Sequence, residues 1–320
     1  MKILLTHSPE ALASYYGGRA LAGLRAVGDV KLNQESQSLQ GEALIAAAAD
    51  CGLIVSYRQS PAPAELFERL PRLVAFLRCA IDIRNVDVAA ASKAGVLVTQ
   101  ASAGFITSVS EMVLGFLVDL SRGITRSTTM YQQNKIPRAE MGRELKGSTL
   151  GVIGCGAIGK EVVRIGKALG MRVLIHDPYQ QVEQVPLDIL LRESDYVVPL
   201  AAATAETENL INSESLGKMK KGAYLVNVSR GDLVDEQALE AALDSGRLAG
   251  CAMDVGRAPD QMPTPRLAAR ADVIATPHTA GLTLPAIEHQ SMETVAQARE
   301  IVQGRVPRGA VNAEHWKRRP

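Results

Sequence analysis

A glycine-rich turn at residues 150–159 constrains the fold more than any other feature of this 320-residue chain. The apolar run Leu150–Ile153 predicts a buried strand, and Gly154, Gly156 and Gly159 follow it in the spacing G-x-G-x-x-G. In a strand–turn–helix unit the first glycine permits a tight turn, the second allows close approach of a pyrophosphate, and the third lets helix and strand pack closely. The helix N-terminus then faces the phosphates. The segment therefore predicts a dinucleotide-binding site.

An acidic residue at the end of the next predicted strand indicates which dinucleotide binds. Asp177 closes the run Val173–His176. It lies about 20 residues beyond the turn, where a carboxylate accepts hydrogen bonds from the adenosine ribose hydroxyls. A carboxylate there repels a 2′-phosphate, and Pro178 and Tyr179 follow it with no arginine to offset the repulsion. The sequence therefore favours NAD over NADP as the cofactor.

Apolar runs alternate with helical patterns along both halves of the chain, which predicts two α/β domains with parallel sheets. In the first hundred residues, four runs are predicted to be strands: Ile3–Leu5, Leu53–Val55, Leu73–Leu77 and Val96–Val98. From residue 149 onward six more follow: Leu150–Ile153, Val173–His176, Tyr196–Leu200, Tyr224–Val228, Gly250–Val255 and Val273–Thr276. Six strands with intervening helices are what a dinucleotide-binding fold requires.

Two predicted helices frame this second half of the chain. Ser108 and Glu111 have the spacing of a capping box ahead of an apolar stripe, which predicts a long helix joining the two domains. Pro285–Gln303 predicts a second amphipathic helix. We expect the polar tail from Gly304 to return to the first domain, so that the cleft between the domains is the expected binding site.

The composition is that of an ordinary soluble globular protein, with 47% hydrophobic and 22% charged residues. A net charge of +1 argues against a broad nucleic-acid-binding face. The apolar N-terminal run is too short for a signal peptide or a membrane span, and it predicts a strand instead. The four cysteines lie far apart, without the spacing of metal ligands, which fits a reducing cytoplasm; they are Cys51, Cys79, Cys155 and Cys251.

Two polar residues follow predicted strands and are candidates to meet a substrate. Arg230 follows one strand in Asn227-Val228-Ser229-Arg230-Gly231, and His278 follows another in Thr276-Pro277-His278. Ligands bind at the carboxyl ends of the strands in such sheets. A guanidinium can hold a carboxylate in a bidentate fork, and an imidazole can exchange a proton near neutral pH. A lone residue of either type is more often structural, and it is the shared sheet edge that favours a catalytic role.

These residues lie within segments that resemble the D-isomer-specific 2-hydroxyacid dehydrogenases, a family that includes phosphoglycerate, glycerate and phosphite dehydrogenases. The resemblance spans nearly the whole chain. Its matching segments are Arg84-Asn85-Val86-Asp87, Ser108-Val109-Ser110-Glu111, Glu144-Leu145-Lys146-Gly147, Asn227-Val228-Ser229-Arg230-Gly231, Val234-Asp235-Glu236, Met253-Asp254-Val255 and Thr276-Pro277-His278.

The resemblance implies an α/β fold with two domains. A doubly wound Rossmann domain that binds NAD is expected over residues 103–282. A flavodoxin-like substrate-binding or lid domain is expected to combine residues 1–102 with residues 283–320. The resemblance also suggests a homodimer formed through the NAD-binding domain. The expected partner is a small-molecule substrate, and neither nucleic acid nor membrane is expected to bind.

The resemblance further assigns roles to individual residues. Arg230 would bind the substrate carboxylate and carbonyl, His278 would be the acid/base, and Asp254 would hold the nicotinamide carboxamide. The backbone amides at Ile81 and Asp82 would bind substrate. The residues expected to bind the cofactor are Gly154, Gly156, Ala157, Ile158, Gly159, Asp177, Thr204, Val228, Ser229, Asp254, His278 and Gly281.

One family feature is missing near the histidine. The family places a Glu before a Pro a few residues beyond the position of Asp254, and that carboxylate keeps the histidine protonated for carbonyl reduction. Here Ala258 or Pro259 occupies the place. A protonated histidine would then lose the stabilisation that an adjacent anion gives. Asp260 is the candidate substitute and is counted among the predicted catalytic residues.

Other departures from the family concern the substrate. Asp82 replaces the glycine of the family's substrate loop and places a carboxylate where an anionic substrate would lie, unless Arg58 or Arg84 offsets its charge. Arg58 is accordingly counted among the predicted substrate-binding residues. The stretch Leu200-Ala201-Ala202-Ala203-Thr204 replaces the usual His-Val-Pro-Leu-Thr, and Ile136 replaces a common tryptophan.

The sequence therefore predicts an NAD-dependent oxidoreductase that transfers a hydride between nicotinamide and a small D-2-hydroxy acid or 2-oxo acid. Arg230 would orient the substrate and His278 would handle the proton. Two alternatives stay open. A non-catalytic NAD-binding sensor or scaffold, like the family's corepressors, would tolerate the lost Glu, and Asp82 favours a dehydrogenase that acts on a non-acid substrate.

Overall fold

Short apolar runs in the first hundred residues form the strands of a parallel sheet. This sheet belongs to the first of two units. In the computed structural model, which describes all 320 residues, this unit comprises residues 1–104 and 283–320. Its strands are β1 (Lys2–Leu5), β2 (Asp29–Leu32), β3 (Leu53–Ser56), β4 (Ala75–Arg78) and β5 (Leu97–Gln100). The order β2-β1-β3-β4-β5, with every pair parallel, is the flavodoxin-like arrangement.

Helices cover both faces of this first sheet. They are α1 (Pro9–Tyr15), α2 (Gly18–Arg25), α3 (Gly41–Ala48), α4 (Ala64–Arg69) and α5 (Val88–Ala94). The residues of β1, β3 and β4 divide between two apolar clusters, because alternate side chains point to opposite faces of a strand. The sequence predicted four of the five strands. It missed β2 because Asp29-Val30-Lys31-Leu32 offers only two apolar residues, on a half-exposed edge.

The second unit, residues 105–282, contains the glycine turn and a larger parallel sheet. Its helices are α6 (Ile106–Arg122), α7 (Ile124–Gln132), α8 (Ala157–Ala168), α9 (Leu187–Glu193), α10 (Ser213–Lys218), α11 (Glu236–Asp244) and α12 (Pro265–Ala268). Its strands are β6 (Thr149–Ile153), β7 (Arg172–His176), β8 (Tyr196–Pro199), β9 (Ala223–Asn227), β10 (Leu248–Met253) and β11 (Val273–Ala275). All six predicted strands are present.

The strand order of this second sheet is β11-β10-β9-β8-β6-β7. From β6 the chain passes to β7 on one side and then returns to β8 on the other, so the order reverses between β6 and β8. In doubly wound sheets a ligand binds outside the carboxyl ends of the strands at such a reversal. The α/β fold class, with a Rossmann-type unit and a flavodoxin-like unit, is confirmed.

The predicted helix start at Ser108 is wrong. Helix α6 begins at Ile106, and no side chain caps its first turn. Ser108 therefore lies in the first turn of the helix and not at the N-cap position, which Phe105 occupies. The nearby Ser110 hydroxyl instead donates to the Ile106 carbonyl oxygen at 2.8 Å. A Ser-x-x-Glu pattern inside a helix thus resembled a helix start.

The chain returns to the first unit through α13 (Leu284–Val302) and the tail that follows it. Both were predicted. The Asn312 side-chain oxygen accepts from the Val98 amide at 2.8 Å, and the Val311 amide donates to the Val98 carbonyl at 3.0 Å. Trp316 is buried in the same unit. The tail thereby completes the outer edge of β5.

Two general features accompany this fold. The four cysteines are buried and form no disulfide. No helix combines the length and the apolar character that crossing a bilayer requires.

The end of β1 carries a buried histidine among aromatic rings. His7 is 2% exposed, and its ring centroid lies 5.1 Å from that of Tyr16 and 5.0 Å from that of Tyr57. Neither ring nitrogen has a hydrogen-bond partner. Burial, assisted by the positive charge of Arg78, lowers the pKa of His7 to about 3. The folded state therefore holds this imidazole neutral.

We expect His7 to make stability depend on pH. Between about pH 6.5 and pH 3 the unfolded chain binds a proton at this residue and the folded chain does not, so stability falls as pH falls. The slope from this one group approaches about 1.4 kcal/mol per pH unit. Urea unfolding of the wild type and of His7→Phe across this window would measure it. Equal slopes for the two proteins would contradict the expectation.

Candidate active site

The glycine turn leaves an open space in front of a helix terminus. Gly154 adopts φ of +97°, a conformation that favours glycine. A Cβ atom at Gly159 would lie 2.2 Å from the Gly154 carbonyl oxygen, whereas one at Gly156 would meet nothing within 4 Å. No side chain caps the first turn of α8, which begins at Ala157. The uncapped N–H groups and the space beside Gly156 suit a pyrophosphate.

Asp177 lies where the ribose-binding acid is expected. It is buried at the end of β7, and its two carboxylate oxygens accept from the Cys155 amide at 2.7 Å and the Tyr179 amide at 2.9 Å. Each oxygen retains capacity to accept from a ribose hydroxyl. The Tyr179 hydroxyl donates to Glu206 at 2.7 Å, which brings a second carboxylate toward this position. Both carboxylates would repel a 2′-phosphate, so the residues present fit NAD.

Arg230 lies in a loop whose main chain is held by the buried side chain of Asn227. Asn227, at the end of β9, donates through Nδ2 to the Arg230 carbonyl at 2.9 Å and accepts through Oδ1 from the Ser229 amide at 3.1 Å. The guanidinium donates to the Ser229 carbonyl at 2.7 Å. Arg230 is half-buried at the carboxyl edge of the sheet, as predicted.

The loop that carries His278 is fastened to a fully buried carboxylate. Asp254 follows β10, and its Oδ1 accepts from the Thr276 hydroxyl at 2.6 Å and from the Thr279 amide at 2.8 Å. Its Oδ2 accepts from the Ala280 amide at 2.8 Å. The His278 amide donates to the Asp254 carbonyl at 2.9 Å. Three side-chain contacts and one main-chain contact therefore fix the His278 loop to Asp254.

Asp260 reaches His278 through its main chain. The His278 Nδ1 atom lies 2.7 Å from the Asp260 carbonyl oxygen. His278, Asp260 and Gln261 have φ of +55°, +57° and +58°, in the left-handed region that few side chains adopt. The position expected to supply a carboxylate thus supplies a neutral acceptor. The contact at the ring is thus made by the Asp260 main chain, and a catalytic role for its carboxylate stays a prediction.

Glu236 and Arg257 hold this turn in place. Glu236, the first residue of α11, accepts from the Arg257 amide at 3.1 Å and from the Thr264 hydroxyl at 2.9 Å. The Arg257 guanidinium donates to Asn209 at 2.6 Å and to the Val234 carbonyl at 3.3 Å. Residues on both sides of the turn are therefore fixed to the body of the unit.

The sequence did not identify Asn227, Glu236 or Arg257 as functional. Asn227 and Glu236 lie within segments that carry the family resemblance, and that position was the one indication in the sequence that they could be functional. Nothing in the sequence pointed to Arg257, because its partners lie 23 to 48 residues away along the chain.

The remaining predicted cofactor residues lie at the carboxyl edge of the second sheet or in the loops beside it. The Ser229 hydroxyl donates to the Ala201 carbonyl at 3.2 Å, and the Thr204 amide donates to the Thr207 hydroxyl at 2.9 Å. Val228 is buried directly after β9. Gly281 is half-buried, and a Cβ atom there would lie 3.3 Å from Phe105.

The predicted substrate-binding residues Ile81, Asp82 and Arg58 belong to the first unit. Arg84 donates to both Asp82 carboxylate oxygens, with a closest contact of 2.7 Å, so the two charges offset each other. Arg58 lies over the Tyr15 ring, 5.7 Å from its centroid. Arg84, one of the two arginines considered, thus pairs with Asp82.

A six-stranded doubly wound sheet with an open glycine turn, and a buried acid at the end of its second strand, defines a dinucleotide-binding unit of the Rossmann class. Residues 114–280 match the family described as "D-isomer specific 2-hydroxyacid dehydrogenase, NAD binding domain". The second unit is therefore an NAD-binding domain.

Individual relatives extend the match over most of the chain. It is 32% identical over 295 residues to glyoxylate reductase of Korarchaeum cryptofilum, covering 87% of each protein. It is 34% identical over 244 residues to D-3-phosphoglycerate dehydrogenase of Synechocystis sp., covering 73% of this chain and 44% of that relative. This chain thus spans less than half of that second relative's length.

Among solved structures, the apo-structure of D-lactate dehydrogenase from Escherichia coli has a TM-score of 0.83 at 27% identity. The match covers 97% of this chain and 100% of that one. The chain belongs to the D-isomer-specific 2-hydroxyacid dehydrogenase family.

The geometry of the turn gives opposite expectations for two of its glycines. Gly156→Val should leave the melting temperature near that of the wild type and weaken NADH binding by at least tenfold, because the side chain would occupy only the pyrophosphate space. Gly159→Val should lower the melting temperature, because its Cβ collides with a carbonyl oxygen. Thermal unfolding and NADH fluorescence titration would measure both. Wild-type NADH affinity in Gly156→Val would contradict this reading of the turn.

Proposed function

We propose that this chain is an NAD-dependent oxidoreductase that transfers a hydride between nicotinamide and a small D-2-hydroxy acid or 2-oxo acid. The observation that carries the proposal is the arrangement of His278. Its loop is fastened to Asp254 and its Nδ1 faces the Asp260 carbonyl oxygen, so that Nε2 is the nitrogen available to a substrate. Family membership and the position of Arg230 at the same sheet edge support it.

The hydrogen bond at Nδ1 determines which nitrogen exchanges a proton. A carbonyl oxygen can only accept, so Nδ1 carries the hydrogen and Nε2 is left to give or take a proton at the substrate oxygen. In the reductive direction His278 protonates the developing alkoxide, and in the oxidative direction it removes the hydroxyl proton. Bound NADH or NAD⁺ supplies or accepts the hydride.

Arg230 is proposed to bind and polarise the substrate. Its planar guanidinium is permanently charged and suits bidentate recognition of the acid group next to the reacting carbonyl. The buried Asn227 side chain fixes the main chain on both sides of it. The substrate would thereby be oriented by a residue with little freedom to move.

Asp254 is proposed to act as a positioning residue for His278. Its carboxylate accepts three hydrogen bonds from residues 276–280 and is fully buried. The family role of holding the nicotinamide carboxamide would use whatever acceptor capacity remains on these oxygens. The observed contacts favour the first role and are compatible with the second.

The experiment that tests the proposed function is a screen of 2-oxo acids with NADH at several pH values. We expect turnover with at least one acid, and its abolition in His278→Ala and Arg230→Ala while NADH still binds. Tight NADH binding without oxidation by any acid would instead favour the non-catalytic sensor or scaffold. The neutral carbonyl partner of His278 is the observation that keeps this second candidate open, since it lacks the charge of the family's carboxylate.

Two substitutions at position 260 separate the main-chain contact from the side chain. Asp260→Asn removes the charge but tolerates a positive φ, whereas Asp260→Val removes the charge and disfavours that backbone. We expect the pH profile of NADH oxidation to be retained in the Asn variant and kcat to fall about tenfold in the Val variant, because only the second displaces the carbonyl. Equal losses in both variants would show that the carboxylate is the working group.

The acid substrate is favoured over a non-acid one. Asp82 was the residue that argued against a carboxylate substrate, and its charge is offset by Arg84 within the same unit. Ile81 and Asp82 remain the proposed source of backbone amides for the substrate. A reducing cytoplasm remains the proposed location, supported by four cysteines without a disulfide.

We also propose a homodimer formed through the NAD-binding domain. Helix α7 has no buried residue. In the segment between this helix and β6, the apolar side chains of Ile136 and Met141 are 87% and 99% exposed. A second copy would cover this surface. Ile136→Glu combined with Met141→Glu should give a monomer in sedimentation velocity, whereas the wild type should sediment as a dimer. A monomeric wild type would refute the assignment.

A further inference from the structure

A tyrosine–glutamate contact joins two loops at the carboxyl edge of the second sheet. The Tyr179 hydroxyl, in the loop after β7, donates to a carboxylate oxygen of Glu206, in the loop after β8, at 2.7 Å. In the strand order β8-β6-β7, β6 lies between the two strands that carry these loops. This contact, the Tyr179–Glu206 bridge, therefore spans the end of β6 where the glycine turn begins, at the reversal where such a sheet binds its ligand.

The tyrosine side of the bridge is fixed to the ribose-binding acid. The Tyr179 amide donates to an Asp177 carboxylate oxygen at 2.9 Å, and the Gln180 amide donates to the Asp177 carbonyl oxygen at 3.3 Å. Pro178 lies between Asp177 and Tyr179, and its ring fixes one backbone torsion of this turn. The Tyr179 side chain is 76% exposed, whereas Asp177 is buried. The bridge therefore lies on the solvent side of the Asp177 carboxylate.

The glutamate side of the bridge carries a charge that its partner does not neutralise. The Glu206 carboxylate is exposed, and the group that holds it is a neutral hydroxyl. By contrast, the Glu208 carboxylate, two residues further along the same loop, lies 3.7 Å from the Arg257 guanidinium. The bridge thus holds a negative charge in place while leaving that charge able to act on a neighbouring ligand.

Two carboxylates act on the same small region in front of the ribose site. The pKa of the Tyr179 hydroxyl is raised, first by its hydrogen bond to Glu206 and also by the negative charges of Glu206 and Asp177. The hydroxyl therefore lies within reach of both charges. A 2′-phosphate, which carries about 1.5 to 2 negative charges at neutral pH, would meet both carboxylates on entering this region.

A lysine on α8 acts in the opposite direction. The Lys160 ammonium nitrogen lies 3.4 Å from the Gln180 side-chain oxygen, which is neutral. Gln180 directly follows Tyr179, so this cation faces the same turn. An ammonium group is a common phosphate ligand. Exclusion of a 2′-phosphate by Asp177 alone would therefore be opposed by Lys160, and a second carboxylate shifts the balance of charge back toward exclusion.

We propose that Glu206 is a second residue that determines cofactor specificity, held by Tyr179 beside the 2′ position of the adenosine ribose. Asp177 accepts hydrogen bonds from the ribose hydroxyls of NAD, and Glu206 adds the charge that excludes the 2′-phosphate of NADP. Tyr179 is a positioning residue for this carboxylate. Because Glu206 repels one cofactor without contacting the other, its loss changes the affinity for NADPH and leaves that for NADH. The proposal concerns cofactor binding alone, so it is independent of the substrate that is reduced.

Cofactor binding tests the charge of Glu206 directly. Glu206→Gln keeps an oxygen that accepts from the Tyr179 hydroxyl but removes the charge. The dissociation constant of NADPH should fall about fivefold or more, the effect of one charge on a phosphate several ångströms away in an exposed site, while that of NADH should change less than about twofold. Fluorescence titration of the full chain with each cofactor would measure both constants. An unchanged ratio of the two constants would overturn the proposal.

Two further variants separate the charge of Glu206 from a general effect of the loop. Glu208→Gln removes a charge from the same loop, but that carboxylate faces Arg257, so the ratio of dissociation constants should stay at the wild-type value. Tyr179→Phe keeps the ring and releases the Glu206 carboxylate, so it should give a smaller gain in NADPH affinity than Glu206→Gln. Equal gains in Glu206→Gln and Glu208→Gln would show an effect of the whole loop's charge and would overturn the assignment to Glu206.

The bridge itself is tested without cofactor, by NMR titration of the tyrosine side chains. The chain has seven tyrosines, and Tyr179→Phe identifies the Tyr179 signal by its loss. The pKa of Tyr179 should be lower in Glu206→Gln than in the wild type, because the negative charge that opposes ionisation is gone. Equal pKa values of Tyr179 in the two proteins would show that the bridge does not form and would overturn the proposal. A lower pKa with an unchanged ratio of dissociation constants would overturn the role of the bridge in specificity.

Discussion

Parallel strands all end at the same edge of a sheet, and the functional organisation of this protein depends on that constraint. Arg230, Asp254 and His278 each follow a strand of the second sheet, and Gly154 and Asp177 follow two more. None of these residues needs a long loop to reach the edge. Residues more than 100 positions apart in the sequence therefore reach one edge by repeating one local arrangement, a buried strand followed within three residues by a polar or glycine residue.

Two acceptors at this edge differ in charge and serve different purposes. The Asp254 carboxylate is buried and receives three donors, so it can order the loop of residues 276–280. The Asp260 carbonyl is neutral and receives one, from the His278 ring. A neutral acceptor orients an imidazole and selects its tautomer, but it stabilises the protonated ring less than an anion does. The His278 ring is therefore oriented by a main-chain carbonyl in this structure, and charge stabilisation by the Asp260 carboxylate stays a prediction.

Features encoded by consecutive residues were predictable from the sequence. The glycine turn, Asp177, the six strands of the second sheet and the return of the tail were predicted, because each produces a local pattern of apolar, glycine or acidic residues. The capping box at Ser108 failed for the same reason, since a correct local pattern lay inside a helix that starts earlier. Strand β2 was missed because an edge strand buries too little to show a strong pattern.

Contacts made by the main chain, or between distant residues, were not predictable. Asp260 was chosen for its carboxylate, and only the backbone conformation shows that its carbonyl faces the ring. His7 was treated only as the residue at which the first apolar run ends. Its environment comes from Tyr16, Tyr57 and Arg78, up to 71 positions away in the printed sequence, which no local pattern connects.

The discontinuity of the first unit has a consequence for how the chain is made. Strand β5 is complete by residue 100, yet the residues that satisfy its outer edge, around Val311 and Asn312, are synthesised more than 200 residues later. A ribosome therefore releases the whole second unit before the first can close its sheet. During that interval β5 presents an unpaired edge, which is a site for wrong pairing with another nascent chain. Residues 105–282 are thus free to fold early, and the first unit is the part whose sheet is completed last.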